Sequence, residues 1–260
     1  MRIALKDISE SYKKFPVALF FAWGDTKARY RRSVIGPFWL VLGTAIGIAG
    51  LGYLWSAILK IDYADFFPSL AAGLIIWQLI SGCITEAASV FTRNAGLIRN
   101  IPLPLGFFAI QLLFKHLVNF SHNLIVLVVI LLIFPAAKLG WVHLQVIPGF
   151  LVLLGNLLWI LLLIGMIGAR YRDIEPLIGA FMPMLFFLTP VIYKPNHLGA
   201  IEGITWFNPL TYLITLVRDP VLGAPVPDFV WVSTILALVL GWTGTLFIMA
   251  KKYNRLAFWV

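Results

Sequence analysis

Six apolar stretches recur along the chain, at roughly 37–59, 66–91, 105–134, 144–168, 176–193 and 229–250. A helix needs about 20 mainly apolar residues to cross a bilayer. With 61% hydrophobic and 12% charged residues in a chain of 260, there is more apolar surface than one soluble core can bury. Lipid satisfies no backbone polar group, so runs of this length have to be helices. The chain therefore reads as an all-α integral membrane protein with six transmembrane helices.

The fifth stretch is short and holds Pro183 and Pro190, and the apolar piece after it, about 204–217, is flanked by Pro209 and Pro220. Such pieces read as re-entrant or interfacial helices between spans five and six rather than as a seventh span.

Charge orients the bundle. With the N-terminus inside, segments 1–36, 92–104, 169–175 and 251–260 hold eight, two, two and three Lys or Arg, against four on the other side. That asymmetry places both termini in the cytoplasm. A net charge of +9 lying mostly beside apolar runs points to anionic lipid headgroups and not to nucleic acid.

Residues 10–32 interleave Tyr12, Phe15, Val17, Leu19, Phe20, Phe21 and Trp23 with Lys13, Lys14, Lys27, Arg29, Arg31 and Arg32. This predicts an amphipathic interfacial helix broken near Pro16 and Gly24, serving either as a lipid anchor or as a gate touching substrate. The first apolar run starts near 37 and is too long for the core of a signal peptide, so no cleaved leader is expected. Without repeats or low-complexity linkers, the sequence reads as one domain over 1–260. It comprises an N-terminal segment 1–36, a six-span bundle 37–250 and a tail 251–260.

Catalytic groupings are missing. There is no G-x-x-x-x-G-K-[ST] phosphate loop, so any ATP and Mg²⁺ belong to a partner and no cofactor is expected in this chain. His116, His122, His143 and His197 lack the spacing of a helical zinc motif, Cys83 stands alone, and no acid pair sits in a cytoplasmic loop in the way a metal-dependent glycosyl or phosphoryl transferase needs. The expectation is a protein without enzymatic activity.

In the third stretch, Lys115, Asn119, His122 and Asn123 fall at i, i+4, i+7 and i+8, one polar stripe on a helix, with Glu86 a candidate counter-charge for Lys115. Interhelical bonding with one ion pair and the lining of a substrate pathway are both open for this stripe. Gly43-x-x-x-Gly47 permits close helix approach within one subunit or between two. The aromatic content of 15% suits interfacial belts, and equally rings stacked against the C–H faces of sugars.

Between stretches two and three, 92–104 is too elaborate for a turn. Thr92 or Asn94 can cap a short helix, Leu97, Ile98 and Ile101 give it an apolar face, and Pro102 with Pro104 stop it. It suits docking to a cytoplasmic motor or lying in the interface. Arg170-Tyr-Arg-Asp173 with Glu175 reads as a docking or capping element rather than a metal site.

Arg29-Tyr-Arg-Arg-Ser-Val-Ile-Gly-Pro-Phe-Trp, Asn94-Ala-Gly-Leu-Ile-Arg-Asn-Ile-Pro-Leu-Pro and Arg170-Tyr-Arg-Asp together resemble the membrane subunits of ABC-2 type exporters. The resemblance extends over essentially the whole chain, and among these exporters it is to those moving O-antigen, capsular or teichoic-acid polymers. It implies a homodimeric permease of the bacterial inner membrane, paired with two copies of a separate ATPase subunit and passing an undecaprenyl-diphosphate-linked polysaccharide. It assigns ATPase contact to Asn94, Gly96, Leu97, Ile98, Arg99, Ile101 and Pro102. The same resemblance sets the N-terminal amphipathic helix beside the inner channel mouth, with Arg29, Arg31 and Arg32, joined by Arg93 and Arg99, at the lipid diphosphate. The competing readings are an ABC-2 exporter of a drug or glycolipid, and a membrane enzyme acting on lipid-linked sugars.

Overall fold

The computed structural model describes every residue except Arg32, Pro37, 136–139, 194–201 and Val260. Among the described residues it is helical throughout, with no strand. An N-terminal pair, α1 (Arg2–Lys13) and α2 (Phe15–Tyr30), precedes α3 (Phe38–Leu59) and α4 (Tyr63–Ala87). Two short helices follow, α5 (Val90–Arg93) and α6 (Ala95–Asn100), then α7 (Leu105–Ile133) and α8 (Val146–Arg170). The chain finishes with α9 (Ile174–Leu188), α10 (Glu202–Thr205), α11 (Pro209–Val221) and α12 (Asp228–Trp259).

Among the described residues, five helical segments are long and apolar enough to cross a membrane: α3, α4, α7, α8 with the 3₁₀ turn before it, and the Asp228–Tyr253 part of α12. The stretch read as a span over 176–193 stops at Leu188. Thr189 precedes Pro190 and is extended at φ −92°, ψ 139°, the conformation a following proline imposes. A helix of 15 residues is about 22 Å long, short of the hydrocarbon core.

Helix α4 is the axis of the bundle, buried over most of its length against α3, α7, α8, α9 and α11. Helix–helix contact in lipid rests on close packing and on polar glue rather than on apolar transfer. Gly73 shows the first: a Cβ there would lie 2.8 Å from the Val191 carbonyl oxygen, so only glycine admits the turn after α9. Asn156 shows the second: its amide donates to the Thr234 carbonyl at 3.2 Å and its oxygen accepts from Trp159 Nε1 at 3.0 Å, joining α8 to α12. Helix α11, too short to span, is nonetheless buried among α4, α8 and α12. Its wholly buried Arg218 is neutralised by Asp219 at 2.9 Å and donates to the Pro190 carbonyl, holding that turn in place.

The N-terminal segment packs on protein. Ala18, Ala22 and Thr26, at intervals of four, give α2 a flat buried face against α7, while Phe20 and Trp23 point outward. The break between the two helices lies at Lys14, just before Pro16, and α2 runs unbroken through Gly24.

Helix α7 starts after Pro104 with no side-chain cap of its own. Asp7 of α1 supplies one: its buried carboxylate accepts from the Leu105 and Gly106 amides at 2.7 and 2.9 Å, and from Tyr253 Oη of α12 at 2.8 Å. Both termini are thereby clamped to one end of α7. Burial pushes the Asp7 carboxyl above its ordinary pKa, outweighing the lowering by Gly106, Leu105, Tyr253 and Ser11. A carboxyl raised by folding favours the fold most where it is protonated, and the gain fades as pH rises through its raised pKa. Asp7→Ala is expected to cost about 2 kcal/mol, since a cap and a buried network are lost together. Asp7→Asn, which keeps one acceptor, should cost less. Thermal unfolding in detergent reads the order, and equal stability of wild type and Asp7→Ala removes the clamp.

Candidate functional site

At the end that carries both termini, α2, α4, α5, α6 and α7 enclose a cleft of about 330 Å³. Glu86, in the last turn of α4, is its centre. Lys115 of α7 forms an ion pair with Glu86 Oε2. Arg93 of α5 stands 3.9 Å from the same oxygen, and Arg29 of α2 stands 4.0 Å from Oε1. Arg93 reaches onward to Glu175 of α9 at 3.0 Å, and Gln111, one turn before Lys115, donates to Asp25 at 2.8 Å.

Three fixed cations, Arg29, Arg93 and Lys115, are thus balanced by Asp25, Glu86 and Glu175. The cleft is a neutralised network in which four elements converge on the end of α4, not an open anion site. Its inner pair, Glu86 and Lys115, is largely out of water, so each of those two charges depends on its partners, while Arg29, Arg93, Asp25 and Glu175 are exposed.

His116 enters from the side. Its Nε2 lies 3.5 Å from Glu86 Oε1, outside hydrogen-bonding geometry. A Cβ on Gly82, one turn before Glu86, would sit 2.7 Å from the imidazole, so the missing side chain is the seat of the ring.

The 92–104 segment takes in the end of α5 and all of α6, on either side of Asn94, whose side chain donates to the Val90 carbonyl at 2.8 Å and lines the cleft. Leu97 and Ile98 are half-buried against the core and seat the segment. Gly96, Arg99, Ile101 and Pro102 face outward. Lys14 fixes the far side by donating to the Pro102 carbonyl at 3.1 Å. The segment is tied to α4 and α9 through Arg93 and to the N-terminal helices through Lys14.

Among the cations assigned to a lipid headgroup, Arg29 lies beside Glu86, Arg31 is exposed at the end of α2, and Arg32 lies outside the described residues. In the polar stripe, Asn119 and Asn123 line a crevice between α3, α4 and α7, whereas His122 bonds within its own helix, 2.6 Å from the Val118 carbonyl. His116 takes the place in the crevice that the spacing gave to His122. Asp7, one of the few acids near the N-terminus, and Gln78, a lone amide within an apolar run, carry little sequence signal for the places they take.

Arg29, in the first motif segment, Arg93, next to the second, and Glu175, just after the third, bring the three segments to one end of one bundle. Residues 18–222 match the ABC-2 type transporter family. This chain belongs to that family. It is similar to the O-antigen export system permease protein RfbA of Klebsiella pneumoniae, 23% identical over 202 residues, covering 75% of this chain and 76% of the relative. It is similar also to RfbA of Myxococcus xanthus, 22% identical over 227 residues, covering 85% and 86%. In this ABC-2 permease the matched region takes in the Glu86 cleft, α5, α6 and Arg218. Helix α1 and most of the clamp at Asp7 lie outside it.

Proposed function

We propose that the protein is the membrane subunit of an exporter that passes an undecaprenyl-diphosphate-linked, O-antigen-like polysaccharide across the bacterial inner membrane. The observation that carries this reading is family membership over most of the chain, joined to similarity with two permeases named for O-antigen export. ABC-2 permeases normally work with a cytoplasmic ATPase, and here two copies of this chain pair with two such subunits, which supply ATP and Mg²⁺ chemistry. Both termini are cytoplasmic, as the excess of Lys and Arg there favours. The membrane domain extends through the chain, with α9 as a sixth, shortened crossing and α10 with α11 as re-entrant helices at the outer exit. Support for this comes from the burial of α11 in a bundle it is too short to cross.

Gly96, Arg99, Ile101 and Pro102 meet the ATPase, and Leu97, Ile98 and Asn94 hold the docking surface on the permease. ATP-driven closure of the partner pulls Arg93, and through it Glu86 and Glu175, so that α4 and α9 move together. Arg31 and Arg32 meet the lipid diphosphate at the inner headgroups, with Arg29 exchanging Glu86 for phosphate when substrate arrives.

Deleting the gene is expected to abolish surface polymer and leave lipid-linked polymer inside the cell, with both restored by the wild-type chain. Surface polymer unchanged by the deletion contradicts the reading. Loss of a different exported amphiphile would move the substrate to that class.

A further inference from the structure

We infer that the crevice between α3, α4 and α7 is a subsite for an uncharged, hydroxyl-rich sugar residue of the passing polymer. Its volume is about 370 Å³, and it is lined by Thr44, Gln78, His116, Asn119, Phe120 and Asn123 among others. Thr44 comes from the first half of α3 and Asn123 from the middle of α7, so the crevice reaches from the inner half of the bundle toward its midplane.

Amides here form a partly completed network. Asn123 Nδ2 donates to Gln78 Oε1 at 2.8 Å, and Thr44 Oγ1 lies 3.2 Å from the Gln78 amide. Asn123 is 5% exposed, yet its Oδ1 has no partner, and Nε2 of His116, itself 8% exposed, has Glu86 Oε1 at 3.5 Å beside it but makes no hydrogen bond. A buried amide oxygen left unpaired in a membrane interior, on a residue lining the crevice, is costly unless a hydrogen-bond donor visits it. A sugar hydroxyl is such a donor. Phe120, stacked on Phe150 at 5.3 Å, offers an apolar surface for the C–H face of a pyranose ring beside these polar atoms.

Charge selects the ligand class. Lys115 is already paired with Glu86 below the crevice, and the lining offers amides, a hydroxyl and an imidazole. A uronate or phosphate entering it would lose its water without gaining a counter-ion. The movable wall is α3, which buries few of its positions in this subunit. The inference rests on the polysaccharide reading and adds to it a place and a charge preference.

The test uses the full chain with its ATPase in its own cells. Thr44→Cys and Asn119→Cys are made singly, each with the buried Cys83 changed to Ala, and reacted with N-ethylmaleimide. Two samples are compared for each variant, cells making lipid-linked polymer and cells blocked in its synthesis. Polymer is expected to slow labelling at least about threefold, the protection given by a ligand at twice its dissociation constant. Equal labelling in both samples, or none in either, overturns the subsite when surface polymer still depends on the protein. Surface polymer independent of the protein overturns the polysaccharide reading instead.

Discussion

Glu86→Gln is expected to lower the stability of the purified permease by about 3 kcal/mol, the cost of leaving a largely buried charge without its partner. Gln keeps the volume of the side chain, so the loss isolates the charge. Lys115, only 16% exposed, would then face Arg29 and Arg93 with no carboxylate between them. Lys115→Met should cost less, because Glu86 keeps Arg29 at 4.0 Å and Arg93 at 3.9 Å. The double variant Glu86→Gln with Lys115→Met should be more stable than Glu86→Gln alone, since the stranded ammonium is gone. Exchanging the charges, Glu86→Lys with Lys115→Glu, should recover stability incompletely. The new ammonium sits beside both arginines, which an isolated ion pair would not feel. Unfolding of each variant in detergent measures the set. Strict additivity of the single losses would show that Glu86 and Lys115 do not act together.

The Glu86–Lys115 pair was legible in the sequence because ionisable residues inside spans must face protein, and helical periodicity then limits which partners can meet. The apolar runs predicted the long helices for a similarly simple reason. What escaped the sequence depends on pairs of helices. His116 belongs to the crevice because Gly82, on another helix, lacks a side chain, and the spacing along α7 alone favoured His122. Asp7 caps a helix whose first amide lies 98 residues away, a match that no local pattern announces. The fifth apolar run, short but counted as a span, ends at Leu188 because Thr189 is extended before Pro190 and Arg218 holds the turn that follows.

The second large effect concerns the surface around α6. Arg99→Glu with Ile101→Asp reverses a charge and buries a carboxylate in whatever covers this face, and should abolish co-purification of the ATPase while the permease still inserts. These two positions are exposed, whereas Leu97 and Ile98 pack on the core. Co-purification that survives both changes would move docking away from α6. If Arg93 transmits the motion, Arg93→Gln should leave the ATPase bound but uncouple its turnover from export. Its links to Glu86 at 3.9 Å and Glu175 at 3.0 Å are lost in that variant.

Site-directed cross-linking tests the central claim most directly. Single cysteines at Ile101, and at Trp141 and Phe207, all exposed, sample the end carrying the termini and the opposite end. The account predicts a cross-link to the ATPase subunit from Ile101→Cys and none from Trp141→Cys or Phe207→Cys. A cross-link from Phe207→Cys, or none from Ile101→Cys in an assembled complex, would contradict it.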